Sequence, residues 1–291
     1  MTLENRPVME VIRTRTSERS YDGRPLAPDD RDKLTSFIEK PAPGPFGNFV
    51  RLALVEASEA DRAELRALGT YGMVKGARTF LAGAVEAGPG DMEDYGFAFE
   101  RAVLYATSLG VGTCWLGASF NRSGFARVID LGKSEILPAV SPVGYPARSR
   151  TVVDATTRFF ARSRKRKRWA ELFFDGDAGT PLSPEAAGPY AEVLEMVRLG
   201  PSASNRQPWR LVRGPGGEFH FYLKRTPGYN SKLINVPGGD LQRLDMGIAM
   251  LHFKAAARTL DLPGNWARVT DGPGYFGDRA EYVATWDPAA K

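Results

Sequence analysis

The sequence is poor in the residues that build metal and disulfide chemistry. Its 291 residues include one cysteine, Cys114, and two histidines, His220 and His252. One cysteine excludes an internal disulfide framework and any multi-cysteine zinc or iron–sulfur site. Two histidines exclude a three-histidine metal centre and leave a histidine-based triad little choice. No apolar stretch approaches the roughly 20 residues that a membrane span requires. The opening Met-Thr-Leu-Glu-Asn-Arg-Pro has no apolar signal region, so a cytoplasmic protein without a membrane role is expected. A Gly-x-Gly-x-x-Gly after a predicted strand is also missing. Gly110-Val-Gly112-Thr-Cys-Trp115 follows a predicted helix and lacks the third glycine, which argues against a dedicated dinucleotide-binding domain.

What is present is an ordinary globular mix, 43% hydrophobic and 25% charged, long enough for a sizeable core and about two domains. The net charge is +5 and the pI about 9.3, which raises the question of an anionic partner. Much of the excess lies in one run, Arg162-Ser-Arg-Lys-Arg-Lys-Arg168; without it the chain is close to neutral. Such a run can bind nucleic acid. Here it falls at the junction of two halves and reads as a solvated linker.

Those halves come from an internal repeat. Asp94-Tyr-Gly96-Phe-Ala98 recurs as Asp245-Met-Gly247-Ile-Ala249, followed at matching distances by Ala106 and Ala257, Leu109 and Leu260, and Trp115 and Trp266, all 151 residues apart. Pro25-Leu-Ala-Pro28 recurs as Pro181-Leu-Ser-Pro184, and Gly44-Pro45 as Gly200-Pro201, both 156 apart; Tyr21-Asp-Gly23 matches Phe174-Asp-Gly176 at 153. Matches in the same order, with the slack in loops, indicate duplication. We place the halves at 1–155 and 156–291. Predicted elements are helices over 7–14, 29–40, 91–109 and 189–199. Strands are predicted over 49–55, 79–85 and 140–145, with a hairpin at 209–212 and 219–223 turning through Gly214–Gly217. Helices mixed with hairpin-joined strands predict an α+β fold.

The halves diverge where polar motifs stand. Half one has Arg15-Thr-Ser17-Glu-Arg19 after its first helix, where half two has Arg168-Trp-Ala170-Glu-Leu172 at the 153 offset. Half two has Gly200-Pro201-Ser202-Ala203-Ser204-Asn205-Arg-Gln207-Pro208-Trp209, where half one has Gly44-Pro45-Phe46-Gly47-Asn48-Phe49. Each half thus keeps one polar motif and lacks the other, so one crossed site is expected to be whole and the other, built on Ala170, Leu172, Phe46 and Gly47, defunct. Two arginines and a hydroxyl suit a phosphate or ring carbonyls. Short polar side chains in a tight turn suit a planar, polar-edged ligand.

These motifs resemble the FMN-dependent nitroreductase family, in which a helix is followed by Arg-Arg-Ser-x-Arg and later by Pro-Ser-x-x-Asn-x-Gln-Pro-Trp. Here Thr16 replaces the second arginine, and the second motif matches Pro201–Trp209 throughout. The family's Asp-x-Gly-x-Ala helix leading into Leu-Gly-x-Gly-Thr-x-Trp is similar to Asp94–Ala98 and Leu109–Trp115. Because the pattern occurs twice, the chain resembles the fused, single-chain type known as putative TM nitroreductase. The resemblance implies a nitroreductase-like α+β fold acting as a monomeric internal pseudo-dimer, with FMN between the halves. It implies an FMN-dependent oxidoreductase that reduces nitroaromatic or quinone-type acceptors by ping-pong two-electron transfer from NAD(P)H. It places Arg15, Ser17 and Arg19 on the phosphate and pyrimidine edge, and Pro201, Ser202, Ala203, Ser204 and Asn205 along the ring and ribityl. Lys75 would lie near the flavin, Leu116 and Gly117 would face it with their backbone, and Lys165 and Lys167 would reach the phosphate. Gly72 stands where the family has an asparagine. A flavin-binding protein without turnover is the alternative reading.

The remaining candidates have structural readings. Cys114 beside Trp115 reads as a small buried hydrophobe. His220, alternating with Phe219 and Phe221, is expected to face solvent, and His252 to be structural. Asp94 and Asp245, present in both halves, also read as structural.

Overall fold

The computed structural model describes residues 2–4, 6–40, 43–56, 73–147, 165–229, 231–267 and 272–290. A short ribbon, β1 (Thr2–Leu3) with β2 (Arg6–Pro7), leads into α1 (Val8–Thr14) and α2 (Pro28–Ile38). Half one continues with β3 (Val50–Glu56), β4 (Thr79–Glu86), α3 (Asp91–Ser108), β5 (Gly112–Thr113), α4 (Arg122–Val128), β6 (Glu135–Ile136) and β7 (Val140–Gly144). Half two follows with β8 (Phe173–Asp175), α5 (Pro184–Ala187), α6 (Ala191–Leu199), β9 (Trp209–Arg213), β10 (Phe219–Leu223), α7 (Leu241–Thr259), β11 (Asn265–Ala267) and β12 (Glu281–Asp287). The fold is mixed α+β, as expected.

The two sheets repeat one plan. In half one the order is β3-β4-β7-β5, with β6 beside β4; in half two it is β9-β10-β12-β11, with β8 added outside β9. Strand β4 reads Thr-Phe-Leu-Ala-Gly-Ala-Val-Glu and is buried along all but its last residue, as befits a central strand covered on both faces. The β9–β10 hairpin turns through Gly217 at φ +85, a conformation that glycine adopts without a Cβ penalty.

Helices α3 and α7 lie at the centre. Each opens on acidic or capping groups at its positive end: Asp91, Glu93 and Asp94 in α3, and Asp240, whose side chain accepts from Arg243 N, in α7. The two cross at repeated glycines. A Cβ on Gly96 would lie 2.1 Å from Leu244 O, and one on Gly247 would lie 1.9 Å from Glu93 O. Glu93 and Leu244 are themselves 151 residues apart, so the contact is isologous, as at a two-fold dimer interface. Arg243 also crosses it, pairing with Glu93 at 2.7 Å. The main hydrophobic core runs continuously from Val8 and Leu34 through both central helices to Phe253 and Trp286. The two sheets and both central helices therefore share one core.

Two expectations change. Tyr21-Asp-Gly23 and Phe174-Asp-Gly176 do not occupy equivalent places. Tyr21 bridges Pro146 beyond the end of β7, whereas Phe174 sits in β8, parallel to β9. Residues 165–168 have no helix to match α1. Only the 151 and 156 offsets mark structural equivalence. The boundary at 155/156 and the basic residues Arg162 and Arg164 lie outside the described residues. Second, His220 is buried rather than solvent-facing. Its Nδ1 lies 2.8 Å from Thr285 Oγ1 and its Nε2 3.3 Å from Glu218 Oε1. Alternation misleads here because β10 is covered on both faces: Phe219 and Phe221 pack into the main core, while Tyr275 covers His220 at 5.5 Å between ring centroids. Burial lowers the imidazole pKa, against Glu218.

The glycine crossing makes a direct prediction. Gly96→Ala or Gly247→Ala forces a methyl into a backbone carbonyl, and each should cost about 1–3 kcal/mol or more. Equilibrium urea unfolding should show this, with an exposed control such as Gly274→Ala close to wild type.

Candidate functional site

After α1 the chain turns extended at Arg15, with φ −56 and ψ 128. Glu18 N donates to Thr113 O at 2.8 Å, Lys75 N to Arg19 O at 2.8 Å and Tyr21 N to Lys75 O at 2.9 Å. A strand clipped in this way throws alternate side chains to one side, so Arg15, Ser17 and Arg19 come to face a common cavity.

The opposite wall is the loop after α6. Ser204, Asn205 and Gln207 all have positive φ, at 48°, 54° and 48°, a conformation that non-glycine residues hold only when their surroundings compel it. The compulsion is visible. Ser202 Oγ accepts from Gln207 N at 2.9 Å, and Gln207 Nε2 donates to Asn205 Oδ1 at 3.1 Å. Asn205 Nδ2 donates to Lys165 O at 2.8 Å, and Asp245 Oδ1 accepts from Ala203 N at 2.9 Å. The sequence Pro201–Gln207 is thus a self-tied loop held from below by α7. In half one, Asp94 holds the corresponding loop by accepting from Phe46 N at 2.9 Å and Asn48 N at 2.7 Å. Both aspartates have the structural role expected of them.

Between these walls lies a cavity of about 580 Å³, within the usual range for small-molecule and cofactor sites. It brings together Arg15, Ser17, Arg19 and Gly117 of half one with Pro201, Ser202, Ala203, Ser204 and Asn205 of half two. Lys75, Leu116, Lys165 and Lys167 are not among its lining residues. Lys75 is clipped to Arg19 by its backbone and has an exposed side chain. Leu116 is buried, and its N–H donates to Val140 O at 2.9 Å, so that amide cannot face a ligand; Gly117 can. In the extended 165–168 segment the side chains alternate, and Arg166 reaches the cavity instead of its two lysine neighbours. Arg166 donates to Asn205 Oδ1 at 3.1 Å and to Leu199 O at 2.9 Å. Burial, then the charges of Arg15 and Arg198, bring its pKa down to about 10. Ala170 lies on the single turn before β8 and Leu172 O accepts from Leu211 N, while Phe46 packs over Gly90 at the start of α3.

The electrostatics of the cavity call for an anion. Arg15 Nη1 and Arg19 Nε and Nη1 are buried without a hydrogen-bond partner. Leaving charged donors so is costly unless a ligand meets them.

Trp115 forms part of the cavity wall and is held from behind. Its Nε1 donates to Glu100 Oε2 at 2.7 Å; Glu100 Oε1 lies 3.0 Å from His252 Nε2, and His252 Nδ1 lies 2.9 Å from Met196 O. Met196 O can only accept, so Nδ1 carries a hydrogen, and one further proton lies between His252 and Glu100. Glu100 and His252 are fully buried and come from different halves. Sequence reasoning missed Glu100 and Arg166. Arg166 was hidden inside a run of like residues, and nothing around Glu100 distinguishes it from other helix carboxylates. Cys114 is buried, as expected, and burial raises its thiol pKa.

An α+β chain folded as two like halves around a cationic cavity matches the nitroreductase class. The family model described as putative TM nitroreductase matches residues 7–257, and the chain belongs to that family, among the oxidoreductases. The chain is similar to the crystal structure of a putative nitroreductase from Thermotoga maritima MSB8, at 20% identity over 96% of this chain and 92% of that one, with a TM-score of 0.57; the two share a fold. An FMN-dependent nitroreductase from Clostridium difficile R20291 matches at 15% identity over 48% of this chain and 88% of its own, with a TM-score of 0.40. A putative NADH dehydrogenase/NAD(P)H nitroreductase from Parabacteroides distasonis matches at 22% identity over 50% and 89%, also with a TM-score of 0.40. A comparison with curated proteins gives no match. Among the described residues, no helix is long and apolar enough to cross a membrane, and no group of three or more His, Cys, Asp or Glu could hold a metal ion.

Glu100→Ala should destabilise the protein by about 3–5 kcal/mol, because it strands a buried partner on each side. Glu100→Gln should cost far less: its carbonyl can accept from Trp115 while its amide donates to a neutral His252. Urea unfolding of the pair checks this.

Proposed function

We propose that the chain is an FMN-dependent NAD(P)H oxidoreductase that reduces nitroaromatic or quinone-type acceptors by ping-pong two-electron transfer. The observation that carries the proposal is the set of buried, unpartnered guanidinium nitrogens, Arg15 Nη1 and Arg19 Nε and Nη1, on residues that line a cavity walled by both halves together with the Pro201–Asn205 loop. A phosphorylated, planar ligand answers both walls.

FMN held there would supply the redox chemistry between a nicotinamide donor and the acceptor. The chain's part is to bind and tune. Arg15, Arg19 and Arg166 supply charge-assisted donors for phosphate or ring oxygens, and Ser17 supplies a hydroxyl. Their positive field favours added negative charge on the ligand. Gly117 lines the cavity, and its missing side chain leaves room for Leu241 beside it. The rigid loop from Pro201 to Asn205 gives the other face a fixed shape, because its own side chains already satisfy its backbone. Trp115, anchored by Glu100, limits the cavity on the half-one side. Solvent supplies the protons that the acceptor takes up.

The purified protein should be yellow, or should gain a flavin spectrum on addition of FMN. NADH or NADPH should bleach it, and a nitroaromatic or quinone should restore the colour. Initial rates should give parallel double-reciprocal lines. Arg19→Ala should weaken FMN binding by about tenfold or more, the worth of a lost charged hydrogen bond. A protein that stays colourless and acquires no flavin spectrum overturns the proposal.

A further inference from the structure

The two halves hold their equivalent loops with equivalent aspartates, but the two carboxyls end in different states. In half one both oxygens of Asp94 are occupied, one by Phe46 N and the other by Asn48 N. In half two, among the described residues, Asp245 accepts only from Ala203 N, through Oδ1. Its Oδ2 is buried with no hydrogen-bond partner, and Asp245 lines the cavity. The difference coincides with the loop's conformation. Ser204 and Asn205 are left-handed, and Asn205 N donates to Ser202 O at 2.8 Å instead of to the aspartate. The loop that diverged to line the cavity has thus vacated one oxygen of its own anchor.

We propose that Asp245 is a ligand-binding group of this cavity, and that its Oδ2, as a carboxylic acid O–H, donates a hydrogen bond to an acceptor atom on a neutral, planar part of the bound ligand. A buried carboxyl with a single hydrogen bond is poorly supported as an anion. Its surroundings agree. Asp245 is 1% exposed, and no ion pair to it occurs among the described residues. The charge acting on it from its own helix is the like-signed Asp240. Tyr229, in the segment before α7, adds a neutral hydroxyl, turned to Ser204 Oγ at 3.1 Å. From α3, Glu93 is occupied by Arg243. Arg15, Arg19 and Arg166 line the same cavity, and the hydrogen bond from Ala203 N opposes protonation, but desolvation dominates and holds the carboxyl well above its ordinary range. A neutral acid beside a cationic wall divides the cavity: the arginines take the anionic end of a ligand, and Asp245 takes an uncharged oxygen or ring nitrogen. The inference rests on the flavin reading for the identity of that ligand. The acceptor atom belongs either to the flavin ring or to the quinone or nitro group of the electron acceptor.

The experiment has three parts, on the full chain. The first follows the Asp245 carboxyl carbon by NMR in the ligand-free protein, assigned by its loss in Asp245→Asn. The second and third are titrations with FMN, and with menadione in the presence of FMN, between about pH 6 and pH 9, the range that a buried carboxyl can reach. Asp245→Asn keeps an oxygen for Ala203 N and an N–H for the ligand, so it should fold and bind like wild type at the acid end. As pH rises and Asp245 ionises, wild type loses its donor, and its affinity should fall about tenfold relative to Asp245→Asn, whose profile stays level. Asp94→Asn should follow wild type. A fall in the FMN titration assigns the bond to the flavin; a fall confined to menadione assigns it to the acceptor. An Asp245 already ionised at pH 6 in the free protein overturns the inference, and so do identical profiles for wild type and Asp245→Asn in both titrations. Failure of FMN to bind while Asp245 titrates high fails the flavin reading alone, and menadione then decides the donor.

Discussion

The structure depends on the crossing of two helices with almost nothing between them. At Gly96 and Gly247 each backbone lies so close to the other that a methyl group would meet a carbonyl oxygen at about van der Waals overlap. That proximity brings the half-one and half-two loops within reach of one cavity. It also sets the burial of Glu93, Glu100, Asp94, Asp245 and His252, since each lies on one of the two central helices. Buried charge demands partners, and the partners found are largely across the crossing: Arg243 for Glu93 and His252 for Glu100.

From this crossing follows the division of labour between halves. A symmetric pair would present two like cavities. Here half one supplies guanidiniums on a clipped strand and half two supplies a rigid loop, and the two meet in a cavity of about 580 Å³. Freed from lining that cavity, the half-one loop has relaxed into an ordinary cap: Asn48 satisfies the second oxygen of Asp94, and Phe46 covers Gly90. The half-two loop carries left-handed Ser204, Asn205 and Gln207 and an unfilled carboxyl oxygen. Strain and unmet hydrogen-bonding capacity therefore gather on the retained wall and are absent from the corresponding loop.

Most of the fold was legible in the sequence. Helix α3, helix α6, the β9–β10 hairpin and the repeat that relates the halves all follow from periodicity, glycine placement and fixed offsets. The Pro201–Asn205 loop was legible because the equivalent half-one loop, 156 residues earlier, lacks its serines; the arginine strand was legible as a motif, but the half-two segment set against it at the 153 offset is not its structural equivalent. The errors share one cause, local pattern read without knowing what lies opposite. His220 alternates as an exposed residue should, but a second layer covers it. Phe174-Asp-Gly176 resembles Tyr21-Asp-Gly23 in residues and not in strand partners.

The sequence by itself determined which residue types are available, the α+β character, the duplication and the two polar motifs. It could do so because those depend on spacing along one chain. The tertiary structure alone decided which side chains of those motifs share a space. It put Arg166 in the cavity rather than Lys165 or Lys167, because an extended segment offers alternate residues to opposite sides. It put Gly117 rather than Leu116 on the cavity wall, and Val140 holds the Leu116 amide. And it distinguished Asp245 from Asp94, identical in motif, because hydrogen-bond occupancy is set by the conformation of a neighbouring loop and not by the residue that anchors it.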